Sequence, residues 1–135
     1  MKTKILPDKA KARSLLAMAK ITLARLNETD KNKYPANTLT DYYDSLHKIM
    51  DAIASAEGTK FRGEGAHQEL IDYICKTCQQ NESTRIFLQE LRDYRNRIAY
   101  EGFSVTSEYI KTNSKRIEKI MSALLELTEQ TEEKC

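Results

Sequence analysis

The stretch "TLTDYYDSLHKIMDAIASA", residues 38–56, carries the most regular hydrophobic pattern in the chain and decides the fold class. Its apolar side chains recur every three or four residues, which is the spacing of one face of an α-helix. They are Leu39, Tyr42, Tyr43, Leu46, Ile49, Met50 and Ile53. We therefore predict a helix over 38–56, with Thr38 as its N-cap and Asp41 completing a loose capping box.

Four further helices are predicted on either side of this one, because the same spacing recurs there. They span 8–27 after Pro7 and Asp8, 66–79, 83–100 with Ser83 as N-cap, and a last segment that begins at Ser104 or Thr106. Residues 57–65, "EGTKFRGEG", hold three of the four glycines and are predicted to form a loop. Gly102 is predicted to end the fourth helix.

The composition agrees with a helical fold. Only four glycines and two prolines occur among 135 residues, whereas a β-sandwich needs many turns. We predict a single domain, residues 1–135, folded as an all-α, up-and-down bundle of about five helices.

Charge and cysteine content restrict the cellular setting. The net charge of +2 is too small for the whole chain to act as a polycation toward nucleic acid. Residues 1–35, however, carry nine Lys/Arg against three Asp/Glu. This basic segment is either a solvated surface or a surface that favours phosphate. No apolar stretch approaches the ~18 residues of a membrane span, and the N-terminus lacks a secretory signal. Three cysteines, an odd count, indicate a reduced, cytoplasmic protein.

The histidines and cysteines form no recognisable metal or redox motif. Cys75 and Cys78 form a C-x-x-C without a second pair, so we interpret them as structural, and Cys135 is uninformative. His47, on the polar side of the second helix, and His67, near the start of the third, are each interpreted as a lone surface or satisfied side chain. We expect neither a metal nor a cofactor.

A second stretch, "LRDYRNRIAYEGF" at residues 91–103, has a pattern that can carry chemistry. Arg92, Asn96 and Tyr100 are spaced i, i+4, i+8 and line one side of the predicted helix, with Arg95 beside them. Arginine binds phosphate bidentately, and an amide and a phenol add neutral hydrogen bonds. The alternative is a solvated basic face, paired with neighbouring acids.

The segment "RDYRNRIAYEG", residues 92–102, resembles the signature of the HEPN (higher eukaryotes and prokaryotes nucleotide-binding) superfamily. That signature is an Arg, usually a polar residue after it, and a His four to six positions later, near the end of a bundle helix. Arg95 matches the Arg, Asn96 the polar residue, and Tyr100 stands where the His would fall; small prokaryotic members, often archaeal, show a similar ending. The stretch "YYDSLHKIMDAIASAEGTKF" resembles the family's second helix and following loop, and the resemblance extends over about 8–128.

The resemblance implies a fold, an activity and partners. Active HEPN proteins are metal-independent endoribonucleases whose signature helices meet across a dimer axis, and many are toxins encoded beside a nucleotidyltransferase antitoxin. Others have lost activity and bind or scaffold. Carried onto this chain, the candidate catalytic residues are Arg95 and Tyr100, and the candidate binding residues are Arg92, Asn96 and Arg97.

The departure at Tyr100 separates the possible functions. A tyrosine hydroxyl stays protonated at pH 7 in ordinary surroundings, so it is a poor general base, whereas phosphate binding does not need the His. Our first interpretation is a homodimeric module that binds RNA or nucleotide phosphate and acts with a nucleotidyltransferase partner. The second is an active ribonuclease toxin, and the third is a helical scaffold unrelated to nucleic acid.

Two expectations about partners follow from the residues. The apolar side chains of the fourth helix spread over more than one inward stripe, which predicts a dimer through this helix; they are Phe87, Leu88, Leu91, Tyr94 and Ile98. No platform for stacking bases is evident, so we expect no reading of DNA sequence.

Overall fold

The computed structural model describes residues 1–133 and shows five helices and one small sheet within them. The elements are β1 (Lys2–Lys4), α1 (Lys9–Asn27), α2 (Pro35–Ala56), β2 (Thr59–Phe61), α3 (Ala66–Thr77), α4 (Glu82–Glu101) and α5 (Ser107–Glu133). The predicted all-α bundle is confirmed. No helix in the described part of the chain combines the length and the apolar character that crossing a bilayer requires.

Helix α2 lies at the centre of the bundle and packs against all four other helices and against β2. Its buried residues extend beyond the predicted stripe to small and polar side chains such as Ser45, Ala52 and Ser55. A helix that is buried on more than one face must be surrounded by other elements. The stretch that predicts the fold class is therefore also the element on which the others assemble.

The helix ends show where the caps predicted from sequence are right and where they are wrong. The Asp8 side chain, at the predicted helix entry, accepts a hydrogen bond from the Lys11 amide. Thr106, one of the two predicted starts of the fifth helix, caps α5 by accepting one from the Tyr109 amide. Helix α4, however, is capped by Asn81 and not by Ser83, since the Asn81 side chain accepts from the Thr84 amide at 2.8 Å.

The predicted N-cap at Thr38 is also wrong. Helix α2 begins at Pro35, whose fixed φ and missing N–H suit the first turn of a helix. Thr38 lies inside that helix, is buried, and donates its hydroxyl to the Lys31 carbonyl at 2.7 Å. The helix thus begins three residues before the predicted cap.

Residues 57–65 are not wholly a loop, because they contain β2. This strand pairs antiparallel with β1, with Lys2 opposite Phe61 and Lys4 opposite Thr59. Gly58 leads into the strand with φ +79°, and a Cβ there would lie 2.6 Å from the Ile5 carbonyl oxygen, so only glycine fits. The N-terminus is thereby attached to the segment between α2 and α3.

Helix α4 ends at Gly102, which has the left-handed φ of +66° that the sequence predicts. The apolar residues offered as a dimer surface are largely used inside the chain itself: Phe87, Leu88 and Leu91 are buried in the core, and Tyr94 and Ile98 pack against it. Phe87, Leu88 and Leu91 are thus unavailable to a partner, while Tyr94 and Ile98 are only partly buried, so the dimer stays a prediction.

Candidate functional site

Two arginines of α4, Arg95 and Arg92, are each held in place by a hydrogen bond from their own Nε atom. The Arg95 Nε donates to the Asp44 carboxylate of α2 at 3.1 Å, in an ion pair whose side chains are 27% and 35% exposed. The Arg92 Nε donates to the Gln89 side chain at 2.8 Å. Each anchor uses the inner nitrogen of the guanidinium and leaves the terminal nitrogens for other partners, of which Tyr100 is one for Arg95. These are the nitrogens that hold a phosphate end-on.

Tyr100 lies beside Arg95 at the exposed end of α4. Its side chain is 82% exposed. Burial works to lower the pKa of Arg95, but the hydrogen bond and charge of Asp44, followed by the Tyr100 hydroxyl, raise it overall. Arg95 is therefore a permanent cation with a phenol next to it. Asn96, on the same helix, is half-buried and makes no side-chain hydrogen bond to the described residues.

Arg97 lies on the opposite side of α4 from Arg95. It is two positions from Arg95, which turns it about 200° around the helix. Its guanidinium stacks on the Phe103 ring at 4.0 Å and pairs with Glu101 at 3.3 Å. The structure therefore places Tyr100 next to Arg95 and Arg92 and Arg95 near the same neighbours, whereas the Arg97 guanidinium is taken up by Phe103 and Glu101.

The two histidines are not lone side chains, contrary to the sequence interpretation. The rings of His47 on α2 and His67 on α3 stack with centroids 4.0 Å apart and an interplanar angle of 25°. Tyr43, one helical turn before His47, lies 6.2 Å and 6.4 Å from the two rings. The three rings form a cluster, which we call the aromatic cluster (Tyr43, His47 and His67).

The aromatic cluster borders the arginines of α4. Burial is the largest cause that lowers the pKa of His67, and the charges of Arg95 and Arg92 follow. Burial, followed by His67, lowers the pKa of His47 to about 4. Both imidazoles are therefore mainly neutral at pH 7. The cations and the neutral rings together make a surface suited to an anionic, planar ligand.

Tyr43 contributes a buried polar atom to this region. Its side chain is 1% exposed, and its hydroxyl has no hydrogen-bond partner among the described residues. Burial raises its pKa, and Arg92 and Arg95 act in the opposite direction. A tyrosine hydroxyl next to two arginines is thus fully protonated and keeps a donor that the fold itself does not use.

Sequence reasoning could have found two of the three members of the aromatic cluster. Tyr43 and His47 are four residues apart, so they lie on one face of α2. His67 carries no such signal, because its position depends on how α3 packs against α2. The pairing of Arg95 with Asp44, 51 positions earlier in the chain, is hidden for the same reason.

Neither the cysteines nor a cluster of metal ligands contributes to this site within the described residues. Cys75 is buried and Cys78 half-buried, and both are free thiols; burial raises the pKa of Cys75 to about 11, which suits an unreactive, structural role. Cys135 lies outside the described residues. Within them, no group of three or more His, Cys, Asp or Glu side chains is arranged to hold a metal ion.

Comparison with known proteins does not place the chain in a family. No family model matches it, and no curated protein or solved structure matches it either. The HEPN resemblance therefore depends on the sequence pattern quoted above.

Proposed function

We propose that this chain is a HEPN-like module that binds the phosphate of RNA or of a nucleotide through Arg95, Asn96 and Tyr100, with Arg92 beside them. The observation that carries the proposal is the anchoring of both arginines through Nε. Anchoring fixes each guanidinium before a ligand arrives, which lowers the entropy lost on binding. The terminal nitrogens remain for bidentate contacts that a lysine could not make.

The proposed setting is a homodimer that acts with a nucleotidyltransferase partner in a toxin–antitoxin-like system. The HEPN resemblance supports this part. A monomer by light scattering at micromolar concentration would contradict the shared cleft of such a dimer, while the phosphate contacts of one chain would stand.

The test is retention of an end-labelled RNA pool in EDTA by the native protein, Arg95→Ala and Arg95→Lys. We expect Arg95→Ala to lose retention and Arg95→Lys to recover only part of it, because an ammonium is a point charge without a fork. Arg97→Ala is the matched control, since it removes one arginine that is stacked elsewhere on the same helix. Equal loss in both variants would indicate attraction by net charge and would contradict a defined site.

An active, metal-independent endoribonuclease is the second candidate, and the position of His67 favours it. Tyr100 is a poor base, but His67 is a neutral imidazole beside Arg92 and Arg95, and a neutral imidazole accepts protons at pH 7. In this mechanism His67 takes the proton of the ribose 2′-hydroxyl, and the 2′-oxygen then bonds to phosphorus. The bond from phosphorus to the 5′-oxygen breaks, and that oxygen takes a proton from water. The products are a 2′,3′-cyclic phosphate and a 5′-hydroxyl.

The same RNA pool distinguishes these two functions. Cleavage by the native protein that both His67→Gln and the ring-keeping His67→Phe abolish, at RNA concentrations that saturate each variant, would establish the enzyme with His67 as base. Cleavage seen only in Tyr100→His would mean that the site binds phosphate but lacks a base. Retention without cleavage in every variant would support the binding module, and neither retention nor cleavage would favour the scaffold.

A further inference from the structure

A groove next to the aromatic cluster carries two cations that the proposed site does not use. It is lined by His47 and His67 on the helix side and by β2 and the residues after it on the other. Lys60 and Arg62 line it and are two residues apart, so extended backbone projects both to the same face. Neither side chain forms an ion pair within the described residues. Asp51 also lines the groove, so the cations exceed the acids there by one.

His67 lines this groove and also lies near the arginines of α4. It forms part of the groove wall, and it lies close enough to Arg92 and Arg95 for their charges to affect it. His47 covers one face of the His67 ring, yet the residue as a whole is exposed. The free area of His67 must therefore include its other face or its edge, where a base can stack.

We infer that Lys60 and Arg62 form a second phosphate subsite, joined to the first at His67, so that the ligand is single-stranded RNA and not a free nucleotide. One nucleotide offers its phosphate to a single cation group. A strand offers phosphates on both sides of each base, so it can contact both cation groups while a base stacks on His67. This inference rests on the proposed function and specifies its ligand.

The experiment uses anisotropy of a labelled oligouridylate of about six nucleotides, with uridine 3′-monophosphate as competitor, in EDTA over a series of salt concentrations. The variant Lys60→Ala/Arg62→Ala removes the second subsite. Its matched control is Arg13→Ala/Lys20→Ala, which removes the same charge from exposed positions on α1. Native protein and variants are compared only after circular dichroism shows equal helix content.

We expect the slope of log affinity against log salt to become shallower by about 1.4 in the subsite variant, since each lost contact to a single strand contributes about 0.7. The control variant should keep the native slope, and binding of the mononucleotide should not change in either. His67→Ala should weaken oligouridylate binding about tenfold, and His67→Phe, which keeps a ring, should restore most of it.

Three results would overturn the inference. An unchanged slope in Lys60→Ala/Arg62→Ala, with binding still lost in Arg95→Ala, would remove the second subsite and leave the proposed function standing. Equal affinity for the mononucleotide and the oligouridylate would show that one phosphate saturates the site. No binding of oligouridylate by the native protein would remove the RNA function and the subsite together.

Discussion

Replacing Asp44 with asparagine should have opposite effects on stability and on RNA binding. The Asp44 carboxylate holds the Arg95 Nε at 3.1 Å, and an asparagine oxygen can still accept that hydrogen bond. The substitution therefore keeps the anchor and removes only the negative charge. A ligand phosphate on the terminal nitrogens of Arg95 would no longer be repelled by that charge.

The loss of stability and the gain in RNA affinity both follow from the charge of Asp44 in the ion pair with Arg95. Both side chains are about one-third exposed, so solvent screens the pair and its loss should lower the free energy of unfolding by about 1 kcal/mol. A phosphate bound end-on to Arg95 would lie about 6 Å from the Asp44 carboxylate, and at an effective dielectric constant of about 40 the repulsion is about 1.4 kcal/mol. RNA affinity should therefore rise by about tenfold at low salt, and less at high salt.

The assay combines urea unfolding with RNA retention at two salt concentrations. Asp93→Asn is the control, because it makes the same charge change at an exposed position on α4 and should alter affinity by less than half as much on a logarithmic scale. Unchanged or weaker RNA binding in a folded Asp44→Asn protein would refute the reasoning, since it would mean that no phosphate meets Arg95 near this carboxylate.

Three further predictions concern the fold around the site. The pKa of His47 is about 4 in the folded chain against about 6.5 in the unfolded chain. The free energy of unfolding should therefore be highest above pH 6.5 and should decrease as the pH is lowered, by about 2 kcal/mol at pH 5. Urea midpoints measured across this range should show the decrease, and His47→Gln should flatten the profile. Tyr43→Phe removes a buried hydroxyl without a partner, so the urea midpoint should stay the same or rise, by about 1 kcal/mol at most, and a clear fall would show that the hydroxyl is satisfied. Gly58→Ala forces a Cβ to within 2.6 Å of the Ile5 carbonyl oxygen and should lower the free energy of unfolding by more than about 2 kcal/mol, measured by thermal unfolding. Gly63→Ala has a similar φ but open space around it, so it should cost only about 1 kcal/mol. Equal losses in the two variants would contradict the role assigned to the close contact.

The helices were predictable because their signals are local. The apolar spacing of 38–56 and the glycine at 102 each act within one or two helical turns, and both predictions are confirmed. The caps at Thr38 and Ser83 were wrong by a few residues, because the pattern marks a helix well and its first residue poorly. The pair β1–β2 was missed, since strands of three residues are too short to show alternation.

The candidate site was likewise predictable only where its residues are related by local geometry. Arg92, Asn96 and Tyr100 share a side of α4 in any fold that keeps this helix, because helical geometry relates residues four apart. The hydrogen bond from Arg95 to Asp44 and the stacking of His47 on His67 join different helices, so no local pattern predicts them. Those contacts depend on the rotation and register of α3 and α4 against α2, which are set by the packing of the whole core and not by any one segment.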